Sequence, residues 1–289
     1  MLNFNILKRC LGALFLLTIV TSTAQNNFQG KAYYQSKTSV DMSNFGGGQL
    51  SEERKKQIAA RMKSALEKSF ILSFNQSESV YKEEEKLDTP SNQSGGMRFS
   101  MMASGGGDQY KNVKTNKVVQ EKELFGKKFL IKDSLQKLDW VLTGDTKVIG
   151  KYTCFKATAV KKKTGIDFSS FRRRDNATKP KDSSENTKEA TKEEPEAPKK
   201  IDVVAWYTPQ IPVNQGPDVY WGLPGLILEV NADRTTILCS KIIINPSDKE
   251  KLKEPTKGKE VTQEEYEAIV LEKTEEMREM FRSRRGGRR

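Results

Sequence analysis

Between Tyr110 and Val160 the chain passes through five short runs: VKTNKVVQEKEL, KKFLIKDSL, LDWVLT, TKVIGK and YTCFKATAV. Turn signals such as Phe125-Gly126 and Thr143-Gly144-Asp145 separate them. Strands joined this tightly must be antiparallel neighbours, because a parallel return needs a crossover of about a dozen residues or more. Further strand-like runs lie on both sides. FQGKAYYQS precedes the meander, as does FILSF, where Phe70, Leu72 and Phe74 alternate with smaller or polar residues. IDVVAWYT, LILEV and RTTILCSKIIIN follow it. The expected fold is therefore mainly β (α+β), a strongly curved antiparallel sheet with one packed helix and one C-terminal helix.

The first helix is predicted over SEERKKQIAARMKSALEK, with Ser51 as N-cap and a narrow stripe of Ile58, Met62 and Leu66. Packing on the sheet is expected for this stripe. The second begins at Thr262, which has capping-box spacing to Glu265. Tyr266, Ile269, Val270, Met277, Met280 and Phe281 supply its face, and docking is expected with the last turns projecting.

Residues 1–24 have the order of a cleaved export signal: Lys8 and Arg9, then LGALFLLTIV, then the small residues Ser22 and Ala24. Its apolar run is shorter than the ~20 residues that a membrane span needs. A single β-rich domain is expected over 25–260, and a helix with a basic tail over 261–289. Residues 161–200 contain KPKDSSENTKEATKEEPEAPKK, too polar to offset chain entropy by burial, so a disordered insert is expected there.

The formal net charge is +12, with clusters at Lys161 to Lys163, Arg172 to Arg174 and the RSRRGGRR terminus. The charge reads first as solubility with solvated tails. As a binding signal in an exported chain it suits anionic lipid, polysaccharide or an acidic partner face better than nucleic acid, for which no module is present. The chain has no histidine, which excludes His-dependent triads, His-ligated zinc and a His general base. No catalytic, cofactor or metal residue is assigned. Carboxylate pairs such as Asp133 with Asp139, or Asp218 with Glu229, would serve a hydrolase only if the fold brought them together. Cys154 and Cys239 remain after export, and an even pair suggests one disulfide, with two buried thiols as the alternative.

The most apolar run after the leader is YWGLPGLILEV, with WYTPQIPVNQGPD before it. It lacks the spacing of a dinucleotide loop and the GK[ST] of a P-loop. In Leu223-Pro224-Gly225-Leu226 the proline and glycine fit a type II turn, with positive φ at Gly225, that launches a buried strand. The aromatic residues Trp206, Tyr207, Tyr220 and Trp221 flank this block and form a candidate ligand or partner rim, with packing in and around the core as the favoured alternative.

GLPGLI, residues Gly222, Leu223, Pro224, Gly225, Leu226 and Ile227, resembles the name-giving motif of the GLPGLI family of exported bacterial envelope proteins. The longer AWYTPQIPVNQGPDVYWGLPGLILEV and the upstream GKYTCFKATA are similar to that family as well. The resemblance implies a Gram-negative envelope address, in the periplasm or at the outer membrane, and companionship with TonB-dependent receptor systems. It supplies no catalytic residues. The function expected is thus non-enzymatic binding of a protein partner or an apolar, lipid-like ligand in a half-barrel like that of the lipoprotein carriers. The alternative is an outer-membrane interaction protein acting through its basic insert and tail.

Overall fold

The computed structural model describes residues 28–39, 51–54, 56–57, 60, 66–84, 107–162 and 200–286. Twelve strands form one sheet: β1 (Gly30–Thr38), β2 (Glu67–Phe74), β3 (Glu78–Glu83), β4 (Gln109–Asn112), β5 (Lys117–Leu124), β6 (Lys127–Ser134), β7 (Val141–Ile149), β8 (Tyr152–Lys162), β9 (Lys200–Thr208), β10 (Leu226–Ala232), β11 (Thr235–Ile244) and β12 (Lys259–Val261). A helix, α1 (Gln263–Gly286), ends the described chain. The fold is mostly β: an open, largely antiparallel sheet in the order β12-β6-β5-β4-β3-β2-β1-β11-β10-β9-β8-β7. Only β12 runs parallel to its neighbour, β6.

Local chemistry explains the hairpins. At the β2–β3 turn, Asn75 Oδ1 accepts from the backbone N–H of Ser77 at 2.8 Å and of Glu78 at 2.6 Å. This is an Asx turn, in which a side chain replaces a backbone acceptor. The β5–β6 turn has Phe125 at φ 50° and Gly126 at φ 76°, the doubly positive pattern that matches strand twist in tight hairpins. Thr143-Gly144-Asp145 is not a turn, contrary to the sequence expectation. LDWVLT and TKVIGK contribute to one strand, β7, whose pairing with β8 slips between Leu142 and Thr146. Gly144, at φ 78°, absorbs the bulge.

Two meanders, β2 to β6 and β7 to β11, flank the central β1. The single meander expected from Tyr110 to Val160 is split: residues 135–140 carry the chain from β6 to β7, which are not neighbours but lie ten positions apart near opposite ends of the sheet. Flat, that separation would be about 48 Å at ~4.8 Å per strand. The chain from Ser134 to Val141 can reach at most about 25 Å. The sheet therefore curls until its two ends approach, although β7 and β12 are its edge strands among the described residues.

The inner face of the curl holds the main core: Ala32, Tyr34, Leu72 and Phe74 on one side, Val203, Ala205 and Val230 on the other. A strap, residues 209–225, lies over this face and buries Ile211, Val213, Tyr220 and Leu223 within it. On the outer face the segment from β11 to β12 is held by Lys31–Glu250 at 2.9 Å and Lys117–Glu254 at 2.7 Å.

α1 starts with the expected capping box. Thr262 N–H donates to Glu265 Oε2 at 2.8 Å and Glu265 N–H to Thr262 Oγ1 at 3.1 Å. Tyr266 packs on Phe129, Ile131 and Val261, with Ile269 and Val270 beside them. Further along, Leu271 and Met280 are 55% and 54% exposed, so only the first turns dock. Ser51 accepts from Arg54 N–H at 3.4 Å, as an N-cap does, and the described residues from there to Leu66 are helical, whereas Glu67 and Lys68, expected in this helix, open β2. Ile58 and Met62, residues 1–24 expected as an export signal, most of the insert expected over 161–200 and the final Gly287, Arg288 and Arg289 lie outside the described residues.

Candidate functional site: a polar basket beside the strap

The strap folds tightly because prolines preset its corners. Val213 N–H donates to Ile211 O at 2.8 Å, and Gly225 N–H to Leu223 O at 2.8 Å. Both bonds span two residues, so Pro212 and Pro224 each centre a γ-turn. This corrects the type II turn expected at Leu223–Leu226. Positive φ belongs to Gly222, at 91°, and not to Gly225. Gly225 is required for another reason: a Cβ there would lie 2.2 Å from the carbonyl oxygen of Thr208. The rest of the signature behaves as expected, with Leu223, Leu226 and Ile227 buried and β10 leaving directly from the turn.

Two tryptophans lock the strap to the β6–β7 connection. Trp140 Nε1 donates to Trp221 O at 2.9 Å, and Trp221 Nε1 donates to Gln136 O at 3.0 Å. From the sheet, the buried Tyr34 hydroxyl donates to Ile227 O at 2.6 Å. Lys111 on β4, 0% exposed, donates to Gly216 O at 2.7 Å and Asp218 O at 2.6 Å. Burial lowers the Lys111 ammonium to about 7, and the Asp218 carboxylate opposes the shift.

Cross-strand register sets out the floor beside this tether. Ser79 pairs with Lys111, and Tyr81 with Gln109, which pairs in turn with Gln120. These residues alternate onto the strap side together. Ser79 Oγ donates to Gln215 Oε1 at 2.8 Å. Three buried polar atoms are left without a partner: Tyr81 Oη, Gln109 Oε1 and Gln215 Nε2. Two positions on from Gln120, Lys122 places its Nζ 5.3 Å from the Tyr266 ring centroid of α1. From β8, Lys161 reaches 5.7 Å from the Tyr220 ring centroid of the strap. Burial lowers the Lys122 ammonium; Asp218 and Glu267 oppose this, and Lys161 adds to it. Among the described residues, neither Lys122 nor the Asp218 carboxylate has a hydrogen-bond or ion-pair partner.

The four aromatic residues proposed as a rim do not share one. Trp206 and Tyr207 are consecutive on β9 and face opposite sides of the sheet. Trp206 carries the Lys147 ammonium 4.2 Å from its ring centroid, and that lysine pairs with Glu229 at 2.6 Å. Tyr207 is buried, its ring centroid 6.2 Å from that of the exposed Phe155, Tyr220 lines the basket, and Trp221 serves the strap lock. Glu229 is thus spent on Lys147, away from Asp218. Asp133 Oδ2 accepts from Gln263 N–H at 3.4 Å at the start of α1.

Cys154 and Cys239 are free, buried thiols. Their strands, β8 and β11, are not neighbours, since β9 and β10 lie between them. The bridge required adjacent strands, and the topology does not supply them. Burial raises Cys154 to about 11 and Cys239 to about 12, so both behave as small apolar side chains. Lys111, Lys122 and Gln215 carried no sequence signal, because lysine and glutamine in a chain this polar read as surface.

An open antiparallel sheet strapped across its inner face, with a polar basket beside the strap, is the class of protein that fold and site define. Residues 140–229 match the family model Porph_ging, described as a protein of unknown function. The match includes the strap and the GLPGLI hexapeptide. No curated protein matches the chain. Among solved structures it is similar to PNGF-II in C2 and in P21 space groups, at 13% identity and TM-scores of 0.45 and 0.44. Each likeness covers 84% of this chain but 33% of the other, so the chain spans about a third of the length of the structures it matches.

Proposed function

We propose that this is a non-enzymatic, exported protein of the bacterial envelope, of the GLPGLI type, that binds a ligand or a protein partner. The observation that supports this reading is the basket. Sheet, strap and α1 hold Lys122, Asp218 and three buried polar atoms in place with their hydrogen-bonding capacity unspent. Holding polar groups unpaired costs stability, roughly 1–3 kcal/mol per buried atom, and a bound polar group recovers it. The leader-like residues 1–24 support export, and the family resemblance supports a periplasmic or outer-membrane location beside a TonB-dependent receptor system.

The curled sheet is analogous to the half-barrel of lipoprotein carriers, which take acyl chains. Here the apolar part of the inner face is packed by Ile211, Val213 and Leu223 of the strap. A polar ligand or a protein partner therefore fits the described interior better than an acyl chain. A second reading, contact of the basic insert and tail with anionic lipid or an acidic receptor face, is favoured by charge alone.

Native mass spectrometry of the protein purified from its own envelope, at low and high salt, tests these readings. A polar small molecule or an envelope protein retained at both salts is the expected result. Loss of every companion at high salt would favour the basic-tail reading. Acyl lipid retained at every salt would favour a carrier.

A further inference from the structure

We propose that the basket binds a zwitterionic small molecule of the amino-acid or short-peptide class, its carboxylate facing Lys122 and Lys161 and its ammonium facing Asp218 and Glu267. This inference rests on the binding function proposed above and names the ligand class.

The argument begins with how the charges are held. Lys122 is fixed by β5 and the Tyr266 ring, and Lys161 by β8 and the Tyr220 ring. Asp218 sits at φ 49° in the strap, its carbonyl tied by Lys111, so its backbone cannot move freely toward either lysine. Tyr266, under Lys122, precedes Glu267 on α1, and Tyr220, under Lys161, lies two residues past Asp218, yet among the described residues Lys122 and Asp218 form no ion pair. A rigid gap between opposite charges is bridged by a molecule that offers an anion to one and a cation to the other.

The balance of charges selects among ligands. A simple anion drawn to Lys122 and Lys161 would meet Asp218 and Glu267 as like charges. A simple cation would meet the two lysines. A zwitterion satisfies both pairs. The orphaned atoms extend the fit, for Gln215 Nε2 donates, Gln109 Oε1 accepts and Tyr81 Oη does either. That is the complement of a peptide unit, with its one carbonyl and one N–H.

The test is calorimetric titration of the whole secreted chain with dialanine, N-acetyl-dialanine and dialanine amide, with inorganic phosphate as the plain anion. Dialanine is expected to bind, and each cap to weaken binding at least about tenfold, because each removes one charge. Lys122→Met should abolish the dependence on the free carboxylate, and Lys122→Arg should retain it. Asp218→Asn should bring dialanine down to the level of its N-acetyl form. Circular dichroism confirms that each variant is folded, and Thr236→Ala, remote from the basket, serves as a further folded control. Equal binding of the capped forms, competition by phosphate, or no binding of dialanine to the folded chain would each overturn the proposal. A protein partner found by mass spectrometry together with no dialanine binding would overturn this ligand class and leave the binding function standing.

Discussion

A β-carbon at Gly225 would meet the Thr208 carbonyl oxygen at 2.2 Å and its carbon at 2.5 Å, both backbone atoms with little room to yield. At Gly222 a β-carbon would meet nothing within 4 Å, but its φ of 91° disfavours any L side chain. The two glycines of the signature thus hold their places by different physics. Gly225→Ala should cost roughly 2–3 kcal/mol by overpacking. Gly222→Ala should cost about 1 kcal/mol by backbone strain. Urea denaturation of the two variants checks this order, and equal losses would contradict it. Sequence shows that glycine is needed at such corners. It does not show which glycine serves φ and which serves close approach, because the second depends on Thr208, seventeen positions earlier.

At the scale of the element, strands were the most legible feature. Alternation in Phe70, Leu72 and Phe74 is reproduced by their common face toward the core. The capping box of Thr262 and Glu265 was equally legible, since its partners are three residues apart. Thr262→Ala should cost about 1 kcal/mol and speed amide exchange in the first turn of α1, as seen by hydrogen exchange. The γ-turns at Pro212 and Pro224 were not legible. A proline fixes its own φ, but which carbonyl the following N–H finds is settled by how the strap lies on the sheet. The bulge at Gly144 was misread as a turn for a similar reason. Thr-Gly-Asp permits either, and pairing with β8 decides.

At the scale of the molecule, Lys111 is the tether between the β4 region and the strap, and it makes stability depend on pH. Its folded value of about 7 lies below the ordinary 10.5, so between those values the unfolded chain holds more protons than the folded one. Stability therefore rises with pH from about 7, by at most ~1.4 kcal/mol per unit. Tyr34 and Tyr81 act oppositely. Burial raises both well above the usual tyrosine value, and their contribution falls away above about pH 10, as the unfolded chain ionises first. Between pH 7 and 8 the denaturation midpoint should rise more steeply in the parent chain than in Lys111→Met, where the lowered Lys122 leaves a smaller rise, and nearer pH 9 the raised Cys154 and Cys239 thiols work against it. A parallel rise in both would show that Lys111 is not the source.

The sequence alone determined most of the strands, the β5–β6 and β7–β8 hairpins, the start of α1 and the apolar character of the signature strand. These depend on periodicity and on contacts a few residues apart. Tertiary structure decided the curl, the strap over its inner face and the meeting of Lys111, Lys122, Lys161 and Asp218. Those residues come from β4, β5, β8 and the strap, and a six-residue connection between the two ends of the sheet brings them together. Polar residues follow no period when the fold, and not the local pattern, chooses their neighbours. That is why the basket was invisible in the sequence and the sheet was not.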